Sequence, residues 1–524
     1  MNRRSFFTDW LTRPMFSDPG SPESLVRPSS GIEPYVPGPT QPWNALRVGH
    51  LLRRTTFLPR WADISALLAM TPSAAVDLLL DTPNKPAVPG MANDATESLE
   101  GLDVTYRAMI KGQWEGDAGQ LRGWQAGVMR DAGLTIAEKM TAFWSGHFAT
   151  EFVAGSDDYV QGPLLYRQNK LFREHGLGNF KDLVMSVTLD GAMLVYLGGD
   201  LNNAGAPNEN YGRELMELFT CGLGQYTEGD VQNAARILTG WHSARFSDMP
   251  TPNGIFNTYF TPAEHDINGK EFLGVAFPAR DVSTNTEFLV QRDEVRKLVD
   301  TIFEKRGRAV AEFISRKIYR FFVYSNPAIS DAAMISSMAD VFMGNNFEIR
   351  PLMAALLKSA HFYDNTNLGA QIKTPAEFEI GFARQIGLSS DTSSDMSRMG
   401  QTLFDPPNVS GWPGYRDWIT TTTYPVRSDV ALNGLTAVSQ DEMLALIKSF
   451  PDYQTAGSLI DNLCAILLPR PLSAGRKASL MTKLLAGAPD YEWGQIVDGS
   501  PSTAVRNLRD VLTTIVQLPD FQLC

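Results

Sequence analysis

The sequence predicts a mainly α-helical protein, a multi-helical globular body with a small irregular or β-containing insert near residues 242–292. Three observations support this prediction. Apolar residues recur at helical spacing along most of the chain beyond residue 43. Helix start signals recur as well, among them the Thr-Pro pairs at 71–72 and 374–375. Between 242 and 292, Pro, Gly, Asn and Thr replace the helical pattern, so short strands are expected there.

The chain divides into three expected parts. Residues 1–45 are rich in Pro, Ser and Gly and show no periodicity, which predicts an extended N-terminal arm. Residues 46–430 are expected to form the helical core body, which includes the insert. Residues 431–524 are expected to form a C-terminal helical group packed on that core. No repeat at the period of a solenoid protein is visible.

Three threonines mark expected helix starts. Thr135-Ile-Ala-Glu138 has the capping-box pattern, in which threonine bonds the third amide of the helix and glutamate reaches back, and it predicts a helix over 136–149. Thr374-Pro-Ala-Glu377 has the same pattern and predicts a helix that continues to about residue 386. Thr227 is expected to cap a helix that begins at 228.

The composition is that of an ordinary globular protein, with 43% hydrophobic and 20% charged residues in 524. The net charge is −12, from 46 Lys and Arg against 58 Asp and Glu. An acidic protein lacks the positive field that non-specific nucleic-acid binding needs, so no nucleic-acid partner is expected. A local basic patch remains compatible with this balance.

Cysteine usage and the N-terminus bear on location. The three cysteines have no metal-ligand spacing and no disulfide pattern, which favours two buried thiols and a free one at Cys524. No apolar run reaches the roughly 18 residues of a transmembrane helix. The pair Arg3-Arg4 resembles a twin-arginine export signal, but no apolar segment follows it. Location therefore stays open between the cytoplasm and the cell envelope, the latter reached through this motif or a partner.

Standard catalytic motifs are missing from the sequence. It contains no P-loop, no H-E-x-x-H zinc motif, no G-x-S-x-G nucleophile motif and no dinucleotide-binding glycine pattern on a strand. With six histidines in the chain, few acid–base or metal-ligand candidates exist. Any functional site must therefore be sought in less specific patterns.

The segment from Asn208 to Trp241 is the densest in polar side chains. Glu214 and Glu217 lie one turn apart on an expected helix, where two carboxylates suit a cation or acid–base work. The structural alternative is an Arg213–Glu217 ion pair, with Glu214 bonded to a neighbouring helix or loop. The binding candidates of this segment are Asn208, Glu209, Arg213 and Trp241.

Two histidines are further candidates. His147 is expected on a helix with Glu151 four residues on, a spacing that suits two metal ligands, although a histidine among aromatic residues is more often a bonded core residue. His265 is followed by Asp266 and an expected hairpin turn at Asn268-Gly269. His265 could act as acid, base or ligand, or Asp266 could simply cap the turn.

The segment 405–418 is a loop rich in Pro, Gly and aromatic residues. Trp412, Tyr415 and Trp418 could stack on a sugar ring or a peptide if they are exposed. The alternative is a loop that plugs the core, with its indole N–H groups bonded.

At these segments the sequence resembles the bacterial domain-of-unknown-function family 1800. The resemblance covers most of residues 46–430. It is carried by GHLLRRTTF (49–57), KMTAFWSGHFAT (139–150), HGLGNFKDLVMSVTLDGAMLVYLGG (175–199), NENYGRELMELFTCGLGQYTEGDVQNAARILTGW (208–241), HDINGKEFLG (265–274), ISRKIYRFFV (314–323), GAQIKTPAEF (369–378) and LFDPPNVSGWPGYRDWI (403–419).

The resemblance implies a mostly helical bacterial protein, often exported. It also implies a sulfatase-like partner at the cell envelope, from domain-of-unknown-function family 1501. The family pattern often has a second histidine where this chain has Ser145, which weakens a two-histidine metal site around His147.

Three hypotheses follow from the residues and the resemblance. The first is a binding or assembly protein, a companion of the sulfatase-like partner. The second is an enzyme, a hydrolase or oxidoreductase with or without a metal. Its polar cleft would be built from His147, Glu214, Glu217 and the His265-Asp266 turn. The third is a self-assembling structural protein, that is, a homo-oligomer. The cofactor, the metal and the substrate are not determined by the sequence.

Overall fold

A computed structural model describes residues 30–89, 118–152, 162–244, 257–388 and 393–524. The described chain is mainly α-helical, with two small two-stranded sheets, so the predicted fold class is confirmed. Most of the predicted N-terminal arm, including Arg3-Arg4, lies outside the described residues. So do the part of the predicted helices at 100–117 and the middle of the insert at 245–256.

Ten α-helices of the described chain precede the insert. They are α1 (Ala45–Thr55), α2 (Trp61–Leu68), α3 (Pro72–Asp81), α4 (Ala118–Asp131), α5 (Ala137–His147), α6 (Gly162–His175), α7 (Phe180–Thr188), α8 (Gly191–Tyr196), α9 (Glu209–Glu217) and α10 (Glu228–Ile237).

The helices of the second half begin after the strands. They are α11 (Glu287–Val290), which continues through a short π-helix (Gln291–Val295), α12 (Arg296–Phe322), α13 (Ala332–Gly344), α14 (Ile349–Leu357), α15 (Pro375–Ile386), α16 (Ser393–Arg398), α17 (Thr423–Ala437), α18 (Gln440–Lys448), α19 (Ala456–Leu467), α20 (Ala474–Leu485), α21 (Trp493–Gly499) and α22 (Pro501–Val516).

The insert holds two antiparallel hairpins. Strand β1 (Trp241–Ser243) pairs with β2 (Thr258–Phe260), and β3 (Lys270–Phe272) pairs with β4 (Val275–Phe277). The tight turn between β3 and β4 is Leu273-Gly274, and both residues have positive φ. The turn predicted at Asn268-Gly269 is therefore wrong, because that pair precedes β3 and does not connect two strands.

The capping predictions have mixed outcomes. Thr374 and Thr227 form capping boxes, and their helices begin where predicted. Thr135 does not form the predicted box, since its hydroxyl donates to the Thr82 carbonyl and accepts from the Ala137 amide instead of the Glu138 amide. Glu138 does not reach back either, because its carboxylate binds Arg173, with Nε–Oε1 at 2.6 Å. A long-range ion pair has replaced the local box.

A large continuous hydrophobic core runs through the described chain, and a smaller separate cluster includes Phe57, Met129 and Ile380. The large core includes side chains from both predicted helical parts, for example Trp144 of α5 and Trp493 of α21, both fully buried. The three cysteines are all free and buried. Cys524 is free, as predicted, and it is 1% exposed. None of the described helices is both long enough and apolar enough to span a membrane.

Candidate ligand site

A cavity of about 240 Å³ lies between several helices and the aromatic loop. Helices α1, α4, α5, α12 and α15 contribute to its walls, and segment 401–418 closes one side. Ligand pockets for drug-sized molecules are typically about 300–1,000 Å³, so this cavity suits a smaller molecule. His147, Trp412, Tyr415 and Trp418, which the sequence singled out separately, all line it.

Close backbone packing fixes the aromatic loop against α5. Gly411 has a φ of +81°, and a β-carbon on it would lie 2.3 Å from the carbonyl oxygen of Gly146. Only glycine can make this approach without displacing a backbone. The loop is therefore held directly beside the last turn of α5, where His147 lies.

The loop aromatics have different degrees of burial. Trp418 is 5% exposed, whereas Trp412 and Tyr415 are half-buried at the cavity. Tyr415 has a φ of +53°, an unusual conformation for a residue with a side chain. Its ring meets Tyr324 edge to face, with the two hydroxyl oxygens 3.3 Å apart. The loop thus combines a core plug with two aromatic faces that remain accessible to a ligand.

His147 is a buried residue at the C-terminal end of α5. Its Nε2 lies 3.0 Å from the carbonyl oxygen of Phe219, so Nε2 carries the proton and donates it. Its Nδ1 lies 2.9 Å from Nζ of Lys317 and accepts. Burial, reinforced by the charge of Lys317, holds the pKa of His147 well below its usual value. His147 is therefore a neutral imidazole with a fixed tautomer.

Lys317 lies on α12, in line with Phe313 and Phe321, which are four residues away on either side. Its ammonium lies 4.8 Å from the centre of the Phe313 ring. It donates to His147 Nδ1 and, at 3.2 Å, to the Leu218 carbonyl. None of the carboxylates in the described chain pairs with it. Burial, together with the charge of Arg320, lowers the pKa of Lys317 to about 7.

The cavity carries an excess of positive charge. The cations in its wall are Arg54, Lys139, Lys317 and Arg320, and the only carboxylate among its described lining residues is Glu377. Lys139 neutralises Glu377 by donating to its Oε1. Arg54 and Lys317 therefore have no carboxylate partner among the described lining residues, in a protein whose net charge is −12.

The paired carboxylates of α9 lie elsewhere. Glu214 and Glu217 are one turn apart, as predicted, but neither lines the cavity. Burial and the charge of Glu217 raise the pKa of Glu214 to about 7. Glu217 accepts from the Tyr226 hydroxyl. The expected Arg213–Glu217 pair is wrong, because Arg213 reaches out of the helix to Glu228, at 2.6 Å.

The other candidate residues of segment 208–241 make local structural contacts. Asn208 caps α9 and donates to the carbonyls of Leu197 and Gly198, at 3.0 and 2.8 Å. Glu209 is exposed, 3.9 Å from Arg213. Trp241 is buried, and its ring packs against Phe260 with centroids 5.0 Å apart. None of these residues lines the cavity.

His265 and Asp266 belong to a buried ion network in the insert. Nε2 of His265 lies 3.5 Å from Glu294, which also binds Lys270 at 2.7 Å and Arg280 at 2.5 Å. Asp266 binds Arg236 at 2.6 Å and accepts from the Asn268 amide, the turn-capping role that was the structural alternative. The single polar cleft proposed from His147, Glu214, Glu217 and His265 is not formed, since only His147 lines the cavity.

The expected His147–Glu151 metal pair is also not formed. Helix α5 ends at His147, and Phe148 has non-helical dihedral angles, so Glu151 does not share a helix face with His147. Among the described residues, no group of three or more His, Cys, Asp and Glu side chains could hold a metal ion. Ser145, where the family pattern often has histidine, lines the cavity beside His147.

The sequence reasoning missed the cations of the cavity. A signal for Lys317 was present, because a lysine at i+4 from Phe313 and i−4 from Phe321 lies on the apolar face of its helix. Arg54 gives a similar signal, because it lies three residues after Leu51 on the same helix, and it is 3% exposed. A charged residue on the apolar face of a helix is costly without a partner, so this pattern indicates a candidate functional residue.

These features define a mainly helical protein with a small cationic cavity under an aromatic loop. The family model described as "Protein of unknown function (DUF1800)" matches residues 50–523, and the chain belongs to that family. This confirms the resemblance predicted from the sequence. The search of curated proteins and the search of solved structures found no match.

Proposed function

We propose that the protein binds a small organic anion with an aromatic or other flat apolar part in this cavity. The observation that carries the proposal is Lys317, whose ammonium faces the cavity with an imidazole nitrogen and a backbone carbonyl as its acceptors among the described residues. A partly buried ammonium that has no carboxylate partner is unfavourable unless a bound anion pairs with its charge.

The other lining groups support the same ligand class. The guanidinium of Arg54 retains its charge at every physiological pH, so an anion would meet a positive group in the wall even where Lys317 is neutral. The half-buried rings of Trp412 and Tyr415 offer flat surfaces for stacking. A ligand that binds both the cationic groups and the aromatic rings carries an acid group at one end and a planar apolar group at the other.

Calorimetric titration with 4-methylbenzenesulfonate tests the proposal. This probe has a permanent negative charge and one aromatic ring. Lys317→Met keeps the aliphatic stem and removes the charge, so we expect affinity to fall about tenfold or more, the effect of losing one charge-assisted bond. The neutral analogue 4-methylbenzyl alcohol should bind wild-type protein at least about tenfold more weakly.

Lys297→Met is the matched control. Lys297 lies on the same helix, donates to the Ala276 carbonyl at 2.7 Å and lies over the Phe277 ring, but it does not line the cavity. Its replacement should leave the sulfonate affinity unchanged. Equal affinity for the sulfonate and the alcohol, or equal losses in the two lysine variants, would contradict the proposal.

A companion role beside a sulfatase-like envelope protein remains a further proposal from the family resemblance. It is compatible with an anion cavity, because sulfate esters are organic anions of the class proposed here. Purification of the protein from its native host under mild conditions tests it. A stoichiometric sulfatase-like partner is expected, and recovery of the chain alone would argue against the pairing.

A further inference from the structure

We propose that Lys317 is a reactive amine that forms a Schiff base with an aldehyde or ketone that also carries an acid group. The inference rests on the proposed function, because the cationic wall would hold the acid group of such a ligand. It goes further by assigning a covalent step to the cavity.

Lys317, His147 and the Phe219 carbonyl form a chain of three groups. Nζ of Lys317 lies 2.9 Å from Nδ1 of His147, and Nε2 of His147 lies 3.0 Å from the Phe219 oxygen. A nucleophile within hydrogen-bond distance of a base, with that base oriented by a third group, is the arrangement of activated nucleophiles in enzymes. Here the nucleophile also faces the cavity.

The reaction balances with the groups present. The lone pair of neutral Nζ adds to the carbonyl carbon, and the carbonyl π electrons move to oxygen. His147 Nδ1 carries both amine protons from nitrogen to oxygen in turn: the first converts the alkoxide into a hydroxyl, and the second lets the hydroxyl leave as water. The products are the imine of Lys317 and one water molecule, and no oxidant or reductant is consumed.

The lowered pKa of Lys317 supports the assignment, but another lysine of the chain has a similarly lowered pKa. Burial and Arg320 lower the pKa of Lys317 to about 7, so roughly half of the amine is neutral at neutral pH. Burial also lowers the pKa of Lys373 to about 7. Lys373, however, does not line the cavity, and its ammonium lies over the Phe521 ring, 4.0 Å from the centroid. Lys373 is therefore an internal control for access.

The test is reductive trapping with 4-formylbenzenesulfonate and cyanoborohydride near neutral pH, followed by peptide mass mapping. Lys317 should gain the mass of one aldehyde less one oxygen atom. It should be labelled at least about tenfold faster than Lys297 or Lys373, and the unreactive 4-methylbenzenesulfonate should protect it. Benzaldehyde, which has no acid group, should label it more slowly. His147→Gln should slow labelling by about a hundredfold.

The outcomes separate the two proposals. If 4-methylbenzenesulfonate binds but Lys317 is not labelled in preference to Lys297 and Lys373, the Schiff-base inference is wrong and the anion site stands. If benzaldehyde labels Lys317 as fast as the sulfonate does, the acid group has no role and the inference is also wrong. If the methyl sulfonate does not bind at all, the proposed function itself fails.

Discussion

The molecule contains two buried histidine–lysine sites that differ in how charge is balanced. In the insert, Glu294 binds both Lys270 and Arg280 and lies 3.5 Å from Nε2 of His265, so the buried cations have a carboxylate partner. At the cavity, Lys317 meets His147 and a backbone carbonyl instead. The same residue types therefore have different consequences: a satisfied ion network favours a structural role, and an incomplete one beside a cavity favours ligand binding.

Glu294→Gln should have the largest effect on stability. It leaves Lys270 and Arg280 buried without their carboxylate, which should lower the free energy of unfolding by about 3–5 kcal/mol. Urea denaturation measures this loss. Asp293→Asn is the matched control, since Asp293 contacts the same arginine at 3.6 Å but is 40% exposed, and it should cost less than about 1 kcal/mol. Similar losses of unfolding free energy in both variants would show that Glu294 is not the carboxylate that stabilises the insert.

Replacing each lysine by methionine should sharpen the contrast. Lys270→Met removes a matched charge and should cost about 2 kcal/mol of unfolding free energy, because Glu294 then keeps only Arg280 and a weak His265 contact. Lys317→Met removes an unmatched charge and should change stability by less than about 1 kcal/mol. Thermal or urea unfolding of the two variants checks this. A larger loss for Lys317→Met would make Lys317 a structural residue.

Glu377→Gln should strengthen anion binding by about fivefold. The substitution removes the carboxylate of the cavity wall and frees the ammonium of Lys139 to face a ligand. Titration with 4-methylbenzenesulfonate measures the change. Glu379→Gln is the control, because burial and Asp395 raise the pKa of Glu379 to about 8, so this group is already neutral near pH 7. Unchanged or weaker binding by Glu377→Gln would argue against electrostatic recognition.

The smallest expected effect is that of pH on binding. Lys317 has a lowered pKa of about 7 in the free protein, and the groups near it are neutral His147 and charged Arg320. Below this pKa the amine is charged before and after binding. Above it, anion binding must take up a proton, so affinity for the methyl sulfonate should fall by about threefold over one pH unit. Affinity that rises with pH in this range would contradict a cationic role for Lys317.

The fold could be predicted because its signals are local. The capping boxes at Thr374 and Thr227 need only four neighbouring residues, and both are present. Thr135 shows the limit of such patterns, since its hydroxyl accepts from the Ala137 amide instead of the Glu138 amide, and the Glu138 carboxylate binds the distant Arg173. The choice between a local and a long-range partner for Glu138 depends on where Arg173 lies, which the sequence does not state.

The cavity could be predicted only in pieces. His147 and the aromatics of the 405–418 loop were found as separate candidates, but their proximity depends on packing around Gly411. Lys317 was missed because its sequence pattern is that of an ordinary helix face, and only the structure shows that no carboxylate of the described residues pairs with it. Glu214 and His265 were misleading for the opposite reason. Both lie in sequence segments rich in polar residues, but neither lines the cavity with His147.

A crystal structure with 4-bromobenzenesulfonate, located by the anomalous scattering of bromine, tests the central claim most directly. We expect the ligand in the cavity, with its sulfonate within hydrogen-bond distance of Lys317 Nζ and its ring against Trp412 or Tyr415. An empty cavity at a saturating ligand concentration, or a sulfonate bound only on the outer surface, would contradict it.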